Sequence, residues 1–259
     1  LYALNTGGAC AGVLIAAFGL LPTFGVSMTV LIVAFLNILV CVLGLFGRQD
    51  TTDRDESETT TQTDTTVSMR NAMVCAFATG VVTFGLEVSW FRSLRAAFQS
   101  TTDSFALILI SVLLALAIGA RIAAALPTRE TVIQWILAVT GVTVFIMTPI
   151  INRLDQWAPI LDHYWSTHMM RLLLCVLTMG IPMLILGTAL PWLLERFPTP
   201  RQTSRLYSIN TAGAVLGSLV TAWILLPMLG ANTSSLFFGV VLLALSVVIV
   251  QRRLPLFII

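Results

Sequence analysis

The chain has 259 residues, of which 57% are hydrophobic and only 10% are charged, and its formal net charge is +2. Soluble proteins carry roughly 45 to 50% hydrophobic and about 25% charged residues, so this composition excludes an ordinary soluble domain and predicts an integral membrane protein. The small net charge also argues against a nucleic-acid partner. We therefore expect the lipid bilayer to be the main partner of the chain.

Apolar runs of about 20 residues, long enough to cross a bilayer, predict an all-α membrane protein with about eight transmembrane helices. A tight turn over residues 22–25 joins the first two, and a polar loop that includes Trp157 and His168 separates the fifth from the sixth. In chain order we expect the helices at about residues 3–22, 26–47, 71–98, 104–126, 131–151, 169–194, 206–227 and 232–250.

Two stretches of the chain repeat each other at a constant spacing of 205 positions, with no insertion or deletion. Each copy opens with polar residues, continues with small residues and ends at Leu-Leu-Pro. The polar residues of the motif are Asn5 and Thr6 in the first copy and Asn210 and Thr211 in the second.

Small residues follow the polar ones in both copies, Gly8 and Gly12 in the first and Gly213 and Gly217 in the second. Residues four apart lie on one helix face. Small residues at this spacing let a neighbouring backbone come close, which is a main source of helix association in lipid. The four glycines therefore predict two equivalent helix-packing faces.

The repeat distance predicts a unit of six helices. Residues 1–47 are then the last two helices of one unit, and residues 69–259 are a complete second unit. Residues 48–68 carry no large apolar side chain before Val67, which predicts a flexible polar linker. Because the first residue falls inside the motif, we expect the first unit to begin before this sequence. Two parallel six-helix units are the arrangement of major-facilitator-type proteins.

The distribution of arginines predicts the orientation of the chain. Ten of them fall on the side of the linker and four on the opposite side. Positively charged residues in short loops favour the cytoplasm. We expect a multi-pass protein of the plasma (inner) membrane whose linker and two ends are cytoplasmic.

Glu87 is the acidic residue that falls well inside a predicted transmembrane helix, and Arg92 and Arg95 follow it. Ionisable groups inside a membrane are costly and are candidates for function. Three roles are open for Glu87: a structural ion pair with an arginine, a proton-coupling carboxylate, or a ligand for a substrate amine.

Helix breakers in the sixth predicted helix indicate a kink and a candidate cleft. They are Gly180, Pro182, Gly187 and Pro191. A broken helix at membrane depth is tolerated only against protein or a cavity.

No pattern of residues predicts catalysis, a metal site or a cofactor. The four cysteines show no CxxC spacing, so zinc and disulfide frameworks are not expected. His163 and His168 are five apart, which does not align them on one helix face. No Gly-rich phosphate loop follows a strand, and no Ser/His/Asp arrangement is visible.

Three motifs resemble elements of the spermidine-synthase-like membrane proteins, a fused major-facilitator/spermidine-synthase-like family. They are residues 206–217 with their twin at residue 1, the E-x-x-W-x-R element over 87–92, and the Gly-Thr-Ala-Leu-Pro run over 187–191. The resemblance covers nearly all of the chain apart from 48–68. It implies membrane units beside a Rossmann-like domain related to polyamine aminopropyltransferases, and the sequence has no counterpart of that domain.

We therefore expect a non-catalytic membrane unit of this family that acts as an anchor, scaffold or accessory subunit for other membrane protein chains. A transporter-like module for a small cationic or polyamine solute, with Glu87 as its charged contact, is the alternative. A third is the membrane part of an aminopropyltransferase-like enzyme whose catalytic domain is not in this sequence.

Overall fold

The computed structural model describes residues 2–46, 68–98, 102–129, 131–161 and 167–251. Within these ranges the backbone forms helices and short turns and no strand. Eleven α-helices and three π-helical segments follow in the order α1 (Tyr2–Leu14), π-helical segment Ile15–Leu20, α2 (Leu21–Phe46), α3 (Met69–Ala97), α4 (Thr102–Ala123), α5 (Thr131–Ile151), α6 (Leu154–Leu161), α7 (Thr167–Cys175), π-helical segment Val176–Gly180, α8 (Ile181–Leu186), α9 (Ala189–Arg196), α10 (Pro200–Val220), π-helical segment Thr221–Leu225 and α11 (Leu226–Gln251).

Several of these elements join end to end, which gives six helices long and apolar enough to cross a membrane in the described part of the chain. The prediction of an all-helical chain with membrane-spanning helices is confirmed for these residues. Six is fewer than the predicted eight because two of the six each contain two helical segments that meet at a kink of one residue, Gly25 or Gly230, within the predicted turns at residues 22–25 and 228–231. The six are Thr6–Gly44, Met69–Ala97, Thr102–Ala123, Thr131–Ile151, His168–Arg196 and Pro200–Ile249.

Two of the six helices are too long for one straight crossing of a bilayer. They contain 39 and 50 residues, which correspond to about 58 and 75 Å against a hydrocarbon core of about 30 Å. Each is interrupted by one non-helical residue, Gly25 (φ 70°, ψ 177°) in the first and Gly230 (φ 73°, ψ 172°) in the second. This backbone conformation is available almost only to glycine, so each long helix bends at its glycine.

The two copies of the repeated motif share further backbone detail. A π-helical segment precedes each kink, Ile15–Leu20 in the first copy and Thr221–Leu225 in the second. After each kink a hydroxyl donates to the carbonyl oxygen of the glycine four residues earlier, from Thr29 over 2.7 Å and from Ser234 over 2.6 Å. Thr29 and Ser234 are also 205 positions apart.

Helix α3 lies at the centre of the bundle. Helix α10 packs along it, α11 packs against both α5 and α3, and α8 contacts both α4 and α5. The largest side chains of this core are fully buried and include Trp90, Trp192 and Phe238. Helix α1 and the π-helical segment after it pack against α4, and Ala17 of that segment forms a small apolar cluster with Ala106 and Ile110.

Helix α2 stands away from the rest of the described bundle. Only 6% of an apolar stretch of 18 residues within Thr6–Gly44 is buried. Large apolar side chains such as Val26 and Phe35 are 70% and 64% exposed. This surface is suited to lipid or to another apolar helix.

The sequence predicts two long polar connections, a linker over residues 48–68 and a loop that includes Trp157, and the structure describes only part of them. The predicted linker over 48–68 lies outside the described residues, except for Ser68 at the start of α3. Trp157, which the sequence predicts in a loop, lies in the short helix α6. This part of the prediction is wrong because the run Leu-Asp-Gln-Trp-Ala-Pro-Ile-Leu has apolar residues at helical spacing.

Candidate functional site

A cavity of about 240 Å³ lies where α1, α3, α4, α10 and the junction of α8 with α9 meet. Five polar side chains line it among apolar ones, and we call it the polar cavity. Both copies of the repeated motif contribute to it. The five are Thr6 from the first copy, Thr79 and Thr83 from α3, and Tyr207 and Asn210 from the second copy.

Helix α3 supplies one polar wall of this cavity because Thr79 and Thr83, four residues apart, lie on the same helix face. Thr79 is buried, and its hydroxyl donates to the carbonyl oxygen of Ala76 over 3.1 Å. Glu87 continues the same spacing by four more residues. Thr79, Thr83 and Glu87 therefore form a polar stripe along α3, of which the first two members line the polar cavity.

Asn210 holds α10 against α3 at the edge of the cavity. Its side-chain amide donates to the carbonyl oxygen of Ala76 over 2.8 Å and contacts the hydroxyl oxygen of Thr79 at 3.4 Å. The two backbones approach closely here because Gly80 has no side chain. A Cβ atom at Gly80 would overlap the carbonyl oxygen of Asn210.

The glycines of the second motif copy extend this close contact. Gly213 and Gly217 are both buried. A Cβ atom at Gly213 would overlap the carbonyl oxygen of Phe77, and one at Gly217 would overlap that of Val81. The small-residue face of α10 is therefore filled by the backbone of α3.

The first motif copy has different surroundings. Gly8 and Gly12 are exposed, and a Cβ atom at either would meet no atom of the described residues within 4 Å. Thr6 is buried beside the polar cavity, whereas its counterpart Thr211 is exposed and donates to the carbonyl oxygen four residues earlier over 3.0 Å. The side chain of Asn5 lies outside the described residues.

The helix that carries the predicted kink is broken beside the cavity. Helix α8 ends before Gly187 and α9 begins after Thr188. Gly187 lines the polar cavity and is close-packed against Leu116 of α4. Pro191 is buried in the first turn of α9.

The other two predicted kink residues lie at a second irregularity of the same helix. Gly180 ends the π-helical segment Val176–Gly180, and Pro182 lies in the first turn of α8, which follows it. Both are buried, and neither is among the residues that line the polar cavity. The break next to Gly187 is therefore the one that borders the cavity.

The three predicted charged residues lie in different places along α3. Glu87 is half-buried, and no described residue forms an ion pair or hydrogen bond with its carboxylate. Arg92 is exposed and lines a second cavity at the end of the bundle. The Arg95 guanidinium lies 5.8 Å from the centre of the Phe91 ring.

No family model, no curated protein and no solved structure matches the chain. The resemblance to the spermidine-synthase-like membrane proteins therefore rests on the three sequence motifs alone.

Sequence reasoning missed Thr79 and Thr83 as candidate site residues. The signal was present, because threonines at these positions share the four-residue spacing of Glu87 on α3. Threonine is common in transmembrane helices, where its hydroxyl bonds to the preceding turn of its own helix. The spacing alone therefore does not tell a cavity wall from a packed helix face.

Proposed function

We propose that the chain is a multi-pass membrane unit that binds a small polar solute in the polar cavity, in the manner of a transporter. The observation that carries this proposal is a cavity with five polar side chains inside a bundle of apolar helices. Polar groups inside membrane proteins frequently mark substrate paths. The two-residue interruption between α8 and α9 supports it as well, because it borders the cavity, and irregular helices in membranes occur where they pack against protein or line a cavity.

The chemistry of the cavity indicates which solute it suits. A volume of about 240 Å³ corresponds to about eight waters at roughly 30 Å³ each, so the solute is small. Thr83, Tyr207 and Asn210 offer uncharged hydrogen-bond donors and acceptors. Glu87, one helical turn beyond Thr83, adds a negative charge that favours an amine. A small cationic solute such as a diamine fits these features best.

The same proposal includes the predicted architecture. If the glycine kinks divide the two long helices, the chain crosses the membrane eight times, with residues 1–47 and 69–259 in two related units. The matching kinks at Gly25 and Gly230 support this arrangement, and so do the matching π-helical segments. The major-facilitator-like and spermidine-synthase-like resemblance, and cytoplasmic ends in a plasma or inner membrane, belong to this proposal.

Uptake into proteoliposomes tests the proposal. We expect saturable influx of radiolabelled putrescine above that of protein-free vesicles, and weaker influx of the uncharged solute erythritol. Thr83→Val removes one hydroxyl at constant shape and should lower putrescine affinity by about two- to tenfold, the equivalent of one neutral hydrogen bond. Ala9 also lines the polar cavity, so Ala9→Leu places a larger side chain in the cavity wall and should abolish influx.

Two matched controls separate a cavity effect from a general one. Thr143→Val removes a hydroxyl that bonds within α5, to the carbonyl oxygen of Thr140 over 2.8 Å. Ala11→Leu enlarges an exposed position of α1 that does not line the polar cavity. Both should transport like the wild type. Influx of both solutes at the level of protein-free vesicles, or full influx in Ala9→Leu, would contradict the proposal.

The exposed surface of α2 favours a second candidate, a membrane anchor, scaffold or accessory subunit that contacts other chains. A photo-crosslinking amino acid at Phe35, which is 64% exposed, should then give discrete protein adducts in native membranes. The same probe at Trp223, 79% exposed in the second motif copy, is the control. Lipid adducts alone at both positions would contradict this candidate.

The aminopropyltransferase-like alternative has no supporting observation among the described residues, which form helices and turns.

A further inference from the structure

A second cavity, of about 250 Å³, lies at one end of the helix bundle, and we call it the end cavity. Helices α3 and α5 end there, α6 begins there, and α11 resumes there after its kink. None of its lining residues is shared with the polar cavity. The residues used below are Arg92, Ser93, Asn152, Asp155 and Ala231.

Two opposite charges line the end cavity without pairing. Arg92 and Asp155 both contribute to its wall and both are exposed. Within the described ranges, neither side chain forms an ion pair with the other, or an ion pair or hydrogen bond with any other residue. The cavity therefore presents a guanidinium and a carboxylate whose hydrogen-bonding capacity is free for a ligand.

Uncharged side chains fix the wall between these two charges. The amide of Asn152 donates to the side-chain oxygen of Asn232 over 2.6 Å. The hydroxyl of Ser93 donates to the side-chain oxygen of Asn152 over 3.1 Å. These two bonds connect the ends of α3 and α5 with α11. A network that joins three helices holds the cavity wall in one geometry, which reduces the ordering entropy lost on binding.

The kink in α11 adds a partial charge to the same wall. Gly230 is non-helical, so the second part of α11 begins next to Ala231, which lines the end cavity. The N-terminal end of a helix carries a partial positive charge. This charge has the same sign as the Arg92 guanidinium, so the side of the cavity formed by α3 and α11 favours an anion. The first turn of α6 supplies the acidic Asp155.

We propose that the end cavity binds a dipolar ligand with one anionic group and one ammonium group. The anion, a phosphate or a carboxylate, contacts Arg92, whose planar guanidinium forms paired hydrogen bonds with such groups. The ammonium donates to the carboxylate of Asp155. The headgroup of phosphatidylethanolamine and a free zwitterion share this chemistry, and the experiment below distinguishes these two sources.

Binding of phosphoethanolamine to the full chain in detergent, measured by calorimetry, is the first test. We expect phosphoethanolamine to bind more tightly than ethyl phosphate, which lacks the ammonium, or ethanolamine, which lacks the anion. Arg92→Gln should weaken phosphoethanolamine binding by about tenfold to a hundredfold, the usual effect of a charged hydrogen-bond partner. Asp155→Asn should weaken it as well but should not weaken ethyl phosphate binding, because it removes a negative charge from the cavity.

Bilayer composition is the second test. In nanodiscs, exchanging phosphatidylcholine for phosphatidylethanolamine should raise the unfolding temperature of the wild type, because only the latter has N–H donors for Asp155. Asp155→Asn should lose this increase. Binding of phosphoethanolamine without a lipid effect identifies a free zwitterion as the ligand. A lipid effect without phosphoethanolamine binding identifies the headgroup.

Arg153→Gln is the matched control, because Arg153 is exposed, follows Asn152 and does not line the end cavity. It should behave like the wild type in both tests. The unfolding temperature of each ligand-free variant in detergent reports whether it is folded, and these exposed positions should leave it unchanged. The proposal is overturned if neither test detects binding, or if Arg92→Gln and Asp155→Asn bind as the wild type does.

Discussion

The side-chain amide of Asn210 donates a hydrogen bond to the backbone carbonyl oxygen of Ala76, 2.8 Å away and 134 residues earlier in the chain. The same carbonyl oxygen accepts the hydroxyl of Thr79. The bond from Asn210 joins α10 to α3 next to the polar cavity. The wall of the cavity is therefore stabilised by a contact between the second motif copy and the central helix.

Replacing Asn210 by alanine should lower the free energy of unfolding by about 0.5 to 1.5 kcal/mol, because hydrogen bonds between membrane helices contribute about this amount. Unfolding in detergent, followed by circular dichroism, measures the change. Asn37→Ala is the control, since the Asn37 amide is exposed and bonds within its own helix to Val33 over 3.0 Å. An equal loss of stability in both variants would show that the link between helices adds nothing.

Gly217→Ala should destabilise the protein by about 1 to 3 kcal/mol, as overpacking usually does, because its Cβ atom would overlap the carbonyl oxygen of Val81. Gly12→Ala changes the equivalent residue of the first motif copy, where no described atom lies within 4 Å. It should leave stability unchanged or raise it by up to about 1 kcal/mol through helix propensity. The unfolding midpoints of the two variants measure the difference, and the reverse order would contradict the contact of α10 with α3.

Gly230→Ala should cost about 1 to 3 kcal/mol because the backbone at this residue, with φ near 73°, strains any side chain. The space around it is open, so the effect reports backbone conformation alone. Gly44→Ala makes the same change in a helical, exposed position of α2 and should stabilise by about 0.5 to 1 kcal/mol. Chemical unfolding of both variants measures these opposite signs. A stable Gly230→Ala protein would mean that the kink is not required.

Arg196→Lys should destabilise the connection between α4 and α5 by about 1 to 3 kcal/mol. The Arg196 guanidinium donates to the carbonyl oxygens of Pro127 and Trp192, each over 2.9 Å, and lies 3.4 Å from the centre of the Trp192 ring. Lysine does not reproduce a planar group with several fixed donors. Hydrogen exchange of the connection measures the loss. Arg201→Lys, at an exposed position, is the control and should exchange as the wild type does.

Glu87→Gln should reduce putrescine influx by at least about tenfold and leave erythritol influx unchanged, because it removes the negative charge at the end of the polar stripe. Influx into proteoliposomes measures both. Glu195→Gln removes an exposed carboxylate of α9 and should have no effect. Unchanged putrescine influx in Glu87→Gln would exclude Glu87 as the charged contact, whatever the role of the cavity.

The sequence predicts those features that depend on local residue patterns. Long apolar runs predict membrane-spanning helices, and the described residues contain six helices that are long and apolar enough to cross a membrane. The four-residue spacing of Gly213 and Gly217 predicts a face open to a neighbouring backbone, and α3 lies there. The glycine and prolines near Gly187 predict a broken helix, and α8 ends beside that residue.

The remaining features depend on which helices meet, and a single sequence does not specify that. Gly8 and Gly12 have the same spacing as Gly213 and Gly217, yet a Cβ atom at either would meet no described atom within 4 Å. The sequence predicts turns at residues 22–25 and 228–231, and in the structure each change of direction is made by one non-helical residue, Gly25 or Gly230, between two helical segments. Pairing of Thr79 with Asn210 follows from the contact of α3 with α10.

Gly25 and Gly230 also determine how motion passes along the chain. Each is a single non-helical residue between two helical segments, and no loop separates these segments. If the helical segment before the glycine tilts, either the φ and ψ angles of the glycine change or the segment after it moves as well. Opening of the bundle at α1 or α10 therefore either rotates the torsion angles of these glycines or displaces the helical segments that begin at Val26 and Ala231.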